Sequence, residues 1–432
     1  MRRSALSLHV LLLGALCTGL LVVPAQMSAT LAGPGRDNVA EGYGGGVSSP
    51  DADATQAGSA ALASGGNATD AALAAAAVLA VTEPDAAGLG GGAVLLRYDP
   101  AGGTVERIER CEPLGAATAW QAAARAWGTV PLAAALEPAR ALAKGQLAGA
   151  LDAVAAQGPA ALRSGALGSA VRRTAADAGI ALPPAAAALP RAAGARLYAG
   201  LDVYGGAAGT LARLPAGPGS SPSAEAVVRR VLTATPDGAE GPDDDAVVGV
   251  VAADRWGGVT AVALTLGARG GAAPVSGAGF ALGAATTGGC GTATPTIVTH
   301  RADPMAASGE LPATGQTAYL AAVGTGGTGR PGKGATAGVA AVVCGRVERG
   351  LPLDEALEAP RGARVGSGAV VVEAGLGADA ARGLGRLVAS ADGPEAAALV
   401  ALELKDDGRV QAVAERRRGG GGSAAVVHPD EG

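Results

Sequence analysis

The sequence predicts a layered fold of helices and sheets, of the α/β or α+β class. Three observations predict it. Ala-rich helical stretches occupy the first half, and runs of Val, Leu and Thr read as strands in the second. Hydrophobic residues make up 49% of the 432 positions and aromatics only 2%, so the core is built from Ala, Val and Leu. The stretch NATDAALAAAAVLAV (67–81) is a helix that is apolar all round, which places it inside the molecule. The 71 glycines follow no collagen-like period and indicate turns and close backbone approaches. The formal net charge is −5, and no basic stripe carries interleaved aromatics, which excludes a nucleic-acid partner.

The elements follow in order. Arg2 and Arg3 precede an apolar run from Ala5 to Val23, and VPAQ (23–26) offers cleavage after Ala25. This is a secretory signal over 1–25, predicting a secreted or cell-surface protein without an integral membrane domain; an uncleaved anchor is the alternative. Residues 26–50, rich in Gly, Ser and Pro, read as flexible. A helix from Ala54 to Ala63 stops at Gly65 and Gly66. Asn67 caps the next helix, with Asp70 in its first turn, and Pro84 ends it. The chain turns through Gly88 to Gly92 into a strand ending at Asp99, and GTVERIERC (103–111) completes a hairpin. Residues 116–193 read mostly as helices. Strands are expected at 246–252, 259–266 and 369–373, with further ones at PTIV and TAYLAAV and a helix over 335–349. The last residues, 421–432, read as a frayed tail.

Cys111, Cys290 and Cys344 remain after signal removal, so at most one disulfide forms, and the spacing leaves the pairing open. With only His9, His300 and His428 and no Cys-x-x-Cys, neither a metal site nor a Ser-His-Asp triad is expected, nor any cofactor. GLGGGA (88–93) fails as a dinucleotide fingerprint, because a helix precedes it and a strand follows. In GTGRPGKGAT (327–336), Gly327, Gly332 and Lys333 match a phosphate loop, which would make this a nucleotide-binding protein. Gly334, however, stands where magnesium binding needs Ser or Thr. The plainer reading is a strand-to-helix turn.

The segment GGNATDAALAAAAVLAVTEPDAAGLGGGAVLLRYDP (65–100) resembles the N-terminal signature of the γ-glutamyltranspeptidases. WGTVPLAAALEPARALAKG (127–145), LYAG (197–200), TPTIV (294–298), GTGG (324–327) and LPLDEALEAPR (351–361) resemble later motifs of that family in the same order. The resemblance implies an Ntn-hydrolase-like αββα sandwich, two packed sheets flanked by helices. It divides the chain into a large-subunit-like region, 51–244, and a small-subunit-like region, 245–420. It also implies chemistry. A precursor cuts itself before a threonine, whose hydroxyl and freed amine then attack γ-glutamyl amides such as glutathione.

Laid on that family, GVVAAD (249–254) takes the strand behind the nucleophile, and the nucleophile position falls on Asp245, followed by Ala246. An aspartate does not cut its own backbone as a threonine does, and no Ser or Thr lies between Pro236 and Gly258. Thr286 and Thr287 stand too close to TPTIV to serve. GPDDD (241–245) reads either as a solvated turn or as an altered nucleophile or cation site; blocks of like charge favour the turn. Arg110 matches the arginine that pairs with the substrate α-carboxylate, against the plainer reading of a strand-end charge. The family's serine pair falls on Gly291 and Thr292, so half is lost. Its residues that hold the α-amino group find no counterpart between Gly277 and Gly289. Gly326 and Gly327 match the oxyanion-hole glycines, whose amides need no side chain. The chain is also shorter than usual members between Cys111 and Trp127. The expectation is an exported, catalytically impaired relative that takes glutamate or a small γ-glutamyl compound. An active γ-glutamyl hydrolase or transferase is the alternative.

Overall fold

Gly58 and Ala71 set the central contact of the helical layer. They belong to helices α1 (Ala52–Ala63) and α2 (Ala68–Thr82), which follow strand β1 (Val39–Ser49). A Cβ on Gly58 would lie 3.0 Å from the Ala71 carbonyl oxygen, so glycine lets the helices approach closely. The structure is a computed structural model and describes residues 37–184, 186–214, 221–235, 245–268, 270–284, 290, 295–301, 318–325, 334–365, 369–373, 375–376, 384, 386–389, 397–416 and 422–428. Asn67 and Asp70 close a capping box on α2, and every residue from Ala68 to Ala80 is buried, as an all-round apolar helix requires.

Strands β2 (Gly92–Asp99) and β3 (Thr104–Arg110) form the expected hairpin. The Ala-rich region is broken into α3 (Gly115–Ala126), α4 (Leu132–Ala135), α5 (Glu137–Leu142), α6 (Gly145–Gln157), a 3-10 turn (Gly158–Arg163) and α7 (Gly165–Asp177). Then come β4 (Arg191–Ala192), β5 (Arg196–Tyr198), β6 (Leu201–Gly205), α8 (Ala208–Leu211) and α9 (Ala224–Ala234). The LYAG motif is the β5–β6 turn, in which Ala199 and Gly200 both take positive φ, 50° and 84°.

The second half supplies β7 (Asp245–Asp254), β8 (Val259–Ala268), β9 (Ala273–Pro274), β10 (Ala281–Leu282), β11 (Thr296–His300) and β12 (Ala318–Thr325). Helices α10 (Ala335–Val347) and α11 (Leu353–Glu358) follow. Strands β13 (Gly362–Val365), β14 (Ala369–Val372), β15 (Arg386–Ala389), β16 (Ala398–Leu404), β17 (Val410–Ala414) and β18 (Ser423–His428) complete the chain.

The 13-stranded ladder runs β4-β3-β2-β8-β7-β1-β17-β16-β12-β11-β6-β5, with β18 also on β1. It folds back on itself. Val94, Val247, Val251 and Ala261 of one half meet Ile297, Ala321, Val323 and Leu402 of the other in a dry inner layer. A Cβ on Gly249 would lie 2.3 Å from Val323, so glycine admits that side chain. Helices α1 to α7 cover one outer face and α8 to α11 the other. This is the αββα sandwich, with its two layers hydrogen-bonded through β1 instead of standing as separate sheets.

Two expectations are corrected. Residues 39–49 of the flexible segment are β1, whose first part pairs with β17 and whose second part pairs with β7 and β18. Gly44 and Gly45, at φ +84° and +109°, mark the bend between the two parts. The tail contains β18, sealed between β1 and α1: Thr55 donates to the Ser423 carbonyl at 3.0 Å. Composition misled because small residues in these strands serve crowding, and the alternation of apolar and polar residues is lost.

The motif at 351–361 also proves structural. Leu353 and Leu357 are buried, and Arg361, 1% exposed, pairs with Glu415 at 2.5 Å and donates to the Ala397 carbonyl at 3.0 Å. Burial lowers the Arg361 pKa to about 10.

Candidate functional site

The head of β7 is built first, since the sequence places the nucleophile position there. Asp245 pairs with Ala268 and Ala246 with Gly267, and a one-residue bulge follows before Val247 meets Thr265. Thr265 fixes the bulge: its hydroxyl donates to the Ala246 carbonyl at 2.9 Å and accepts from the Gly267 amide at 2.8 Å. A threonine therefore stands near this strand head, but its hydroxyl is spent on backbone geometry.

The Gly-rich turn before β2 packs the same end of the ladder. A Cβ on Gly90 would lie 2.0 Å from the Ala281 oxygen, on Gly91 2.3 Å from the Thr265 oxygen, and on Gly92 2.8 Å from the Arg110 oxygen. Three backbones press against this turn, which explains its glycines without a phosphate.

At the other end of β7, buried Asp254 accepts from the amides of Trp256 and Gly258, each at 2.9 Å, and from Ala68 at 3.0 Å. It shapes the β7–β8 turn and satisfies a free amide at the start of α2.

Arg110 ends β3 at the same end of the ladder as Asp245, but not beside it. The register row runs Arg110, Ala93, Leu264, Val248, three strand spacings or about 14 Å. Its guanidinium lies 2.5 Å from the Glu112 carboxylate. Arg163 stands close enough that Arg110 adds to the burial that lowers the Arg163 pKa, while Glu112 opposes it. A substrate carboxylate would have to compete with Glu112. Thr292, Gly326, Gly327, Gly332, Lys333, Thr286 and Thr287 lie outside the described residues, and so does the rest of the 327–333 loop.

The neighbour of Arg110 carries the one feature that spacing left open. Cys111 is bonded to Cys290, with 4.9 Å between their Cα atoms. The chain just after Arg110 is thereby tied to the chain two residues before Thr292. Glu109 joins these cysteines in a three-donor group within 4.8 Å, but the disulfide consumes two of the donors. Sequence reasoning also missed Arg107 and Arg191, which with Arg110 line a cavity of about 280 Å³; nothing in their spacing, 84 residues apart, signals it.

Comparison with known proteins fits this geometry. Residues 54–117, from α1 into α3, match the sequence model of the family described as Gamma-glutamyltranspeptidase. The fold is that of a cephalosporin acylase from Bacillus halodurans, with a TM-score of 0.71 and 18% identity over 91% of this chain and 97% of that one. Over residues 54–117 the chain is similar to the γ-glutamyltranspeptidases. LmbA2991HD shares the fold as well, with a TM-score of 0.65 and 19% identity over 89% of this chain and 98% of its own. No curated protein matches the sequence. The chain thus shares the fold of these two proteins over nearly its whole length. Among the described residues, no helix is long and apolar enough to cross a membrane.

Proposed function

We propose that this is an exported γ-glutamyltranspeptidase-like protein that remains one uncut chain and binds a small γ-glutamyl compound or glutamate without turning it over. The observation that carries the reading is the identity of the residue heading β7, Asp245, with no Ser or Thr from Pro236 to Gly258. Self-cleavage needs a hydroxyl or thiol there to take the preceding acyl group. Without cleavage no α-amine is freed, so the general base is missing along with the nucleophile. Export rests on Arg2, Arg3 and the apolar run to Val23.

Intact-mass measurement of the exported protein tests both parts. The expected product is a single polypeptide beginning at Gln26, below the 41.0 kDa of the whole chain, with only background hydrolysis of γ-glutamyl anilides. Two fragments divided before Asp245 would overturn the uncut reading, and a mass that retains Met1 would overturn signal removal.

A further inference from the structure

Strand β4 is two residues long and lies on the outer edge of β3, with Arg191 directly opposite Arg107. Residues facing each other across antiparallel strands share one side of the sheet, with Cβ atoms about 5 Å apart, and like charges there repel. Such a pair normally opposes strand addition. Both arginines line the 280 Å³ cavity together with Arg110, Glu109 and Leu189.

The charges around this cavity do not cancel. Glu112 answers Arg110, and Glu109 answers Arg107, whose Nε is buried without a hydrogen-bond partner. Arg191 makes no ion pair among the described residues. The chain as a whole carries −5, yet this wall presents three guanidinium groups against one carboxylate. The cavity is larger than an inorganic oxyanion needs, and Ala187, Ala188 and Leu189 give it an apolar side.

We propose that this cavity is a binding site for a small organic acid carrying two carboxylates, clamped between Arg107 and Arg191 over the apolar wall. A carboxylate accepting from both guanidinium groups relieves the cross-strand repulsion and satisfies the orphaned Nε. Arg110 lines the same cavity, so the site shares one residue with the proposed glutamate-binding reading. The clamp itself is Arg107 and Arg191, at the sheet edge and without any group at Asp245, so loss of the shift in Arg191→Gln tests the clamp separately from Arg110.

Thermal unfolding at constant ionic strength, with glutarate as the probe, tests it. Glutarate should raise Tm by about 2–5 °C when present at ~100 times its Kd, with the shift growing with concentration. Arg191→Gln should abolish that shift, and the ligand-free variant should melt no lower than the parent, since a repulsion is removed. Arg191 is exposed at a sheet edge, so the variant folds. The proposal is overturned by any of three results: no glutarate shift in the parent, a shift retained in Arg191→Gln, or an equal shift from inorganic phosphate.

Discussion

Asp70 shows how one side chain organises two distant segments. It is 2% exposed; it accepts from the Asn67 amide at 3.0 Å, from the Thr129 amide at 3.1 Å and hydroxyl at 2.5 Å, and from the Val130 amide at 3.3 Å. Asp70→Asn replaces an acceptor-only carboxylate with a group half of which donates. We expect a loss of about 2–3 kcal/mol, read as a lower denaturant midpoint at unchanged m-value. The capping half of this role was legible in NATD; the bond to Thr129, 59 residues on, was not, because only tertiary packing creates it. Glu348 gives a pH-dependent counterpart. Burial alone raises its pKa, but hydrogen bonds from Arg230 at 2.8 Å and Tyr198 at 2.7 Å outweigh this, and the net shift is downward from 4.5. A carboxyl depressed in the folded state contributes stability above its unfolded pKa and loses it as pH falls through the folded pKa. Glu348→Gln should therefore cost about 2 kcal/mol at neutral pH, and the gap from the parent should narrow as pH falls below the ordinary carboxyl value of 4.5 and through the lower folded-state value, in parallel urea titrations.

At the level of elements, glycine divides into crowded and idle positions, and sequence alone does not separate them. Gly90 has no room for a Cβ, whereas Gly149 on exposed α6 meets nothing within 4 Å. Gly90→Ala should cost about 3 kcal/mol or more by forcing β10 from the β2 turn, while Gly149→Ala should gain ~0.5–1 kcal/mol from helix propensity. Melting temperatures of the two variants, measured side by side, check the contrast. The same ambiguity explains where the sequence was readable. Strands β7, β8 and β12 and helices α2 and α10 carry long apolar runs and were found within a few residues. Strands β1 and β18 were missed, because GYGGGVSS and SAAVVH offer neither bulk nor alternation and take their burial from neighbours on both sides. At the candidate site, the head of β7 was legible from GVVAAD. The cavity at Arg107 and Arg191 and the tether beside Arg110 were not, since each joins residues far apart in the chain.

For the molecule as a whole, the Cys111–Cys290 bond closes a loop across 179 residues and ties the first layer to the segment leading into the second. By the chain-entropy account its loss costs up to about 5 kcal/mol, so dithiothreitol should lower Tm by several degrees. Cys344 behaves differently. It is 1% exposed beside Tyr198, and burial pushes its thiol up to about 12. Thiol titration of the signal-free protein should accordingly find no reactive cysteine in the native state, one after unfolding and three after reduction. A reactive native thiol would contradict the buried placement. Strand β1 also imposes an order in time. Asn38, at its entrance, bonds to Ala414, 376 residues later, and β17 and β18 are the last strands to be made. At ~5–20 residues per second, a ribosome needs roughly 20–75 s to travel from one to the other. For all of that interval the first part of β1 has no sheet neighbour and the second part can pair only with β7, so the centre of the sandwich is the last part of the fold to close.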